Sequence, residues 1–180
     1  MRHHRSAVTL LEVSIVLLIV GLTAAVAVPR FNLTMRGIHS RAAAIQIAAD
    51  IDYVRRTAIN RGRSATLTFS PNGQGYASDD VDFPDRVGRK LRVDLAETFD
   101  SAVFANAQFD GIVVLDSQSI TFDLEGTPHV GSSKLQTGLI VISSAGTATE
   151  YIQIDAGTGT VHIYSEGDDL ANATGGGAGS

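Results

Sequence analysis

From Val8 to Val28 the chain reads VTLLEVSIVLLIVGLTAAVAV, apolar at nearly every position and interrupted by one charge, Glu12. At about 1.5 Å of rise per residue, a helix over this run reaches roughly 30 Å, the thickness of a bilayer's hydrocarbon core. Past Pro29 and a polar stretch the pattern changes. Ala44, Ile47, Ile51, Val54 and Ala58 recur at three- and four-residue steps and so share one helix face. Arg41, Asp52, Arg55, Arg56 and Asn60 fall largely off that stripe. Pro29 removes one helical hydrogen bond, which predicts a kink or a loosened turn and not necessarily an end. Gly62 supplies the stop signal. The expectation is one helix of about 53 residues from Val8 to Asn60. Its first half (8–28) is apolar all round and fit to span a membrane, and its second half (29–61) is amphipathic.

From Ser64 the period switches to two. Ala65, Leu67 and Phe69 face one way in SATLTFS, Leu91, Val93 and Leu95 in KLRVDL, and Ile120, Phe122 and Leu124 in SITFDL. GLIVIS reads as a more fully buried strand, and YIQID and TVHIY complete the set. Pro71-Asn72-Gly73 and Ala156-Gly157-Thr158-Gly159 are turn sequences. The fold class is α+β: a long helix whose second half is covered by a small antiparallel β domain at 62–165. The stretch 166–180, with its ATGGGAGS, reads as a flexible Gly-rich tail.

The net charge of −5 conceals an asymmetry. Residues 1–63 carry nine Lys/Arg against three Asp/Glu, and residues 64–180 carry five against sixteen. A globular part of charge −11 argues against nucleic-acid affinity, which draws on basic surface to displace counterions. With no cysteine, neither a disulfide framework nor a thiolate metal site is available. The sequence holds no phosphate-binding loop, nucleophile elbow or two-histidine zinc helix, so it predicts neither an enzyme nor a cofactor. His3, His4, His39, His129 and His162 are scattered and read as solvent-facing or locally bonded. Arg55, Arg56, Arg61 and Arg63 read as a solvated helix end. The densest carboxylates are Asp79, Asp80, Asp82 and Asp85 in SDDVDFPD. Hard oxygens at that spacing make a weak candidate calcium loop, but the segment lacks the glycine and terminal glutamate of an EF-hand. A solvated acidic loop is the preferred reading.

One ionisable group inside an apolar span is a functional-site hypothesis, because an unpaired charge there costs several kcal/mol. Glu12 is that group. The basic leader MRHHRSA, then VTLLEV, then an apolar helix with Gly21 inside it and Pro29 beyond, resembles the start of the type IV pilin and type II secretion pseudopilin superfamily. DYVRRTAINRGRSATLTF and ITFDLEGTPHVG, followed by GLIVIS, YIQID and GTGTVHIY, are similar to the H-type minor pseudopilins, the GspH/FimT-like group. The resemblance implies that residues 1–7 are a leader, cut between Ala7 and Val8 by a prepilin peptidase that also N-methylates Val8. Ala7 and Val8 depart from the glycine and phenylalanine usual there. It further implies a single-pass protein of the bacterial inner membrane with its C-terminal domain outside the cytoplasm. Its partners would be lipid, an assembly platform and other pilin subunits, with Glu12 pairing with a neighbour's N-terminal amine in a filament. Two other readings stand beside this one. A FimT-like DNA-uptake pilin would use basic residues near the C-terminus, where this chain reads HIYSEGDDLANATGGGAGS. A signal-peptidase cut after Ala25-Val26-Ala27 would release a periplasmic β domain.

Overall fold

Helix α1 spans Leu10–Arg61, 52 residues, and its backbone stays helical through Pro29. It stops at Gly62, which takes φ +59. There the Gly62 N–H donates to the carbonyl of Ile59 and the Arg63 N–H to that of Ala58, both at 3.2 Å. These two bonds close the last turn through a left-handed residue, a conformation glycine adopts without steric penalty. The computed structural model describes residues 10–72, 74–99, 102–114, 117–144 and 149–165, with side chains at 26–30 and 32–36 left aside. The chain divides into two units, Met1–Met35 and Arg36–Ser180.

The second unit holds two antiparallel sheets. The strands are β1 Ala65–Ser70, β2 Gly75–Phe83, β3 Arg86–Asp94, β4 Ala102–Phe109, β5 Ile112–Val113, β6 Gln118–Phe122, β7 Pro128–Val130, β8 Ser133–Lys134, β9 Gly138–Ser144, β10 Glu150–Ile154 and β11 Val161–Ser165. The first sheet runs β3-β2-β1-β6-β7-β8 and the second β11-β10-β9-β4-β5. A single helical turn, α2 (Leu95–Thr98), joins β3 to β4. It is capped by Asp94, whose carboxylate accepts from the N–H of Ala96 and Glu97.

The buried stripe of α1 is the one its periodicity predicts: Ala44, Ile47, Ile51, Val54 and Ala58 are fully buried. The stripe is also wider, taking in Ser40, Ala43, Asp50 and Thr57. It packs in one core with Leu67 and Phe69 of β1, Phe122 of β6, and Ile140 and Ile142 of β9. Phe69 joins the sheets: its ring lies 5.7 Å from that of Phe109 and 6.4 Å from that of Phe104, both on β4.

Three expectations change. SDDVDF is not a loop; it forms the second half of β2, with Val81 fully buried. Leu124 is 52% exposed, because SITFDL ends as a strand at Phe122. Asp123 then accepts from the N–H of Glu125 and Thr127 and turns the chain. GLIVIS alternates, burying Gly138, Ile140, Ile142 and Ser144 and leaving the residues between them half-buried.

Candidate functional site

In α1 the apolar residues from Leu10 to Leu22 are exposed, Leu10 at 86%, Leu18 at 72% and Leu22 at 72%. The two hydroxyls in this run are satisfied by the helix itself. Ser14 Oγ donates to the Leu10 carbonyl at 2.8 Å, and Thr23 Oγ1 lies within donating distance of the Ile19 and Val20 carbonyls. Glu12 lies in the first turn, exposed on this apolar surface. Among the described residues no helix is long and apolar enough to cross a membrane. The apolar stretch with described side chains, 10–25, measures roughly 24 Å, where a bilayer core asks for about 20 residues. Ala7 and Val8, the expected processing site, lie outside the described residues, as do His3, His4 and the tail from 166.

The second half of α1 is tied to the β domain by polar contacts that the sequence reading missed. Asp50, 4% exposed, receives the Tyr76 hydroxyl on one oxygen at 2.6 Å and the Gln46 amide on the other at 3.0 Å. Burial pushes the Asp50 carboxyl above its usual range, against these two hydrogen bonds. Burial and the facing Asp50 also push the Tyr76 hydroxyl upward. Arg41 Nη1 lies 2.7 Å from Glu150 Oε2, and Ser165 Oγ donates to the same carboxylate at 3.0 Å. Glu150 is 4% exposed, so its charge rests on those two partners. Signals for these ties were present. Asp50 lies three residues after Ile47 and four before Val54, which puts it on the buried face.

Two turns close over the same helix. A Cβ built on Gly126, at φ +83, would lie 2.7 Å from Ile59 Cδ1. One on Gly159, at φ +67, would lie 2.6 Å from the Gly126 carbonyl and 2.9 Å from Arg55 Cδ. Both positions therefore combine a left-handed backbone with a close approach that only glycine permits.

The acidic segment is held by local partners. Asp80 accepts from the Thr66 N–H at 2.8 Å. Asp82 pairs with Lys90 at 3.1 Å and accepts from the Gly88 N–H, contacts that hold its carboxyl below the usual range. Asp85 faces Arg86 at 3.4 Å. Asp79 and Asp80 line an open cleft of about 610 Å³ on the outer face of β1–β3, with Thr66, Thr68 and Arg92. Among the described residues no three His, Cys, Asp or Glu are grouped so as to hold a metal ion. The carboxylates of Asp80, Asp82 and Asp85 are each held by separate local partners. Of the histidines, His129 bonds Asp123 at 3.0 Å and His162 lies against Tyr164. Burial would raise the Asp123 carboxyl, but the N–H of Thr127 and His129 hold it low.

The sequence model of the family described as "Type II transport protein GspH" matches residues 43–172. No curated protein matches. Among solved structures, the chain is similar to two crystal forms of the type IV minor pilin FimU of Pseudomonas aeruginosa (strain PAO1), each at 16% identity. The P65 form covers 69% of this chain and 91% of its own, with a TM-score of 0.45. The P21 form covers 76% and 90%, with a TM-score of 0.47.

Proposed function

Because the chain belongs to the type II transport protein GspH family, we propose that it is a minor pseudopilin, a membrane-anchored structural subunit of a type II secretion pseudopilus or a related pilus-like filament. In this reading residues 1–7 are a leader removed after Ala7 by a prepilin peptidase, which then methylates the Val8 amine. Residues 8–28 span the inner membrane, 29–61 form the amphipathic half of the helix, 62–165 form the extracytoplasmic domain, and 166–180 are its tail. The partners are that peptidase, membrane lipid, an assembly platform and other pilin subunits.

The observation that carries the reading is the division within α1. One half is covered by the chain's own β domain, and the other leaves leucine, isoleucine and valine exposed along consecutive turns around one carboxylate. Exposed apolar surface of that extent is energetically tolerable only against lipid or other helices. When the first half leaves lipid for a bundle of helices, the Glu12 charge must be matched, and the amine freed at Val8 supplies the match. A pair of this kind fixes register more than it adds stability, since desolvation offsets most of the attraction.

The test is Glu12→Gln. The variant is expected to insert in the membrane with a wild-type amount of protein, and to be depleted from sheared filaments. Incorporation at the wild-type level would overturn the pairing. Mass spectrometry of the mature N-terminus tests the processing: N-methyl-Val8 is expected, whereas a chain beginning at Met1 or Val28 would overturn it.

A further inference from the structure

The β domain is acidic, yet its positive charge is gathered in one place. Of the five Lys/Arg after residue 63, four lie in β3: Arg86, Arg89, Lys90 and Arg92. β3 is the outermost strand of the first sheet. Among the described residues no turn or loop backbone bonds to its outer edge. The other edges are smaller. β5 and β8 have two residues each and β11 has five; β3 has nine, with its pairing to β2 shifted beside Lys90 and Gly88 at φ +87, so that its regular ladder runs from Lys90 to Asp94. All residues from Arg86 to Lys90 are exposed, and Val87 is 96% exposed.

A long edge of unpaired N–H and C=O groups is a template for another strand, and charges along it decide which strand can add. Two copies of β3 would set four cations against four, so the edge excludes itself. Two of its cations already have carboxylates, Arg86 with Asp85 and Lys90 with Asp82. The others are differently placed. Arg89 lies 5.8 Å over the Phe83 ring and Arg92 lines the outer cleft. They present positive charge on both sides of the strand's pleat.

We propose that β3 is a docking edge for an extended, acidic segment of a partner polypeptide, which adds to the first sheet as a seventh strand. Main-chain hydrogen bonds along the edge hold the segment, and its carboxylates meet Arg89 and Arg92. A polyanion such as nucleic acid fits less well. The hairpin's five aspartates (Asp79, Asp80, Asp82, Asp85 and Asp94) outnumber its four cations, so it releases few counterions. Phosphates would also make no use of a strand edge. The proposal does not depend on the assembly role of Glu12.

The experiment follows amide hydrogen exchange of the full chain in detergent micelles with synthetic peptides of about ten residues, the span of such an edge. A peptide repeating two glutamates and two valines, which sets carboxylates on both faces of an added strand, is expected to slow exchange across residues 90–93. Its lysine–valine counterpart is expected to leave them unchanged, and so is a glutamate–valine peptide N-methylated at every second residue. The double variant R89E/R92E should bind the acidic peptide at least about tenfold more weakly while the rest of the sheet keeps its protection. Any of four results overturns the proposal. The acidic peptide leaves β3 unprotected; the basic peptide protects it equally; the N-methylated peptide does so, which would mean charge attraction without strand pairing; or a short DNA duplex protects β3 while the peptide does not.

Discussion

The two halves of α1 are built from similar residues and meet opposite fates. Ile47, Ile51 and Val54 are fully buried, while Ile15, Val16 and Ile19 stand about half exposed. Hydrophobicity therefore does not say where a side chain ends up; the chain's own supply of covering surface does. The second half carries its polar residues at intervals that leave one apolar stripe, and two sheets fold over it. The first half has no polar face to turn outward, so nothing within the described residues tells it which way to point.

The sharpest way to break this comparison is to place one charge on each half. Ile51→Asp buries a carboxylate with no partner and is expected to lower domain stability by about 4 kcal/mol or more in chemical denaturation. Leu17→Asp should leave that stability within about 0.5 kcal/mol. Equal losses would show that the halves do not differ as described. Next comes the polar tie at the N-terminal side of the seat. Arg41→Ala removes the charged partner of buried Glu150 and is expected to lower stability by about 2 kcal/mol. Arg41→Ala combined with Glu150→Gln should recover part of that loss, which a double-mutant cycle would measure.

A smaller effect belongs to the turn over Arg55. Gly159→Ala meets a strained backbone and the Gly126 carbonyl together, so a loss of about 1–3 kcal/mol is expected. Gly88→Ala, at φ +87 but in open space, should lose about 1 kcal/mol from the backbone alone. The smallest effect is the pH response of Asp50. Its folded-state carboxyl is raised, so the stability it contributes is full below the unfolded value of about 4 and is lost as pH rises through the folded value. Asp50→Asn should flatten the stability profile on the alkaline side of about pH 4. Asp82, Asp123 and Asp155 are lowered and act in the opposite sense, losing their contribution as pH falls. An unchanged slope in the Asn variant would count against a buried acid at this position.

The sequence made the periodic elements legible and hid those whose period is broken. Ala65, Leu67 and Phe69 alternate cleanly and form β1 as expected. β4 went unread because a register shift between Phe104 and Asn106 moves Ala107 and Phe109 out of step with Ala102 and Phe104. β2 went unread for a similar reason: its pairing with β3 shifts between Ser78 and Asp82, and aspartate is a poor strand former. The acidic segment read as a loop because four aspartates from Asp79 to Asp85 hide the alternation that buries Val81. Glu12 stood out in the sequence because charge is so rare in that stretch. Asp50 did not, because an acid on an amphipathic helix draws no attention until the covering Tyr76 is known.

The irregularity in β2 has a consequence for how this hairpin can vary. The stretch that leaves the ladder gives its Asp80 and Asp82 carbonyls to Arg61 Nη1 and to the Tyr53 hydroxyl, at 3.1 and 3.2 Å. The slack in the strand is thus taken up by the helix. Lengthening or shortening the chain between Ser78 and Asp82 would detach both donors and swing Val81 out of the core. Beyond Asp82, at the Pro84–Val87 tip, extra residues would meet only solvent. Length differences among relatives should gather at that tip and spare the few residues behind it.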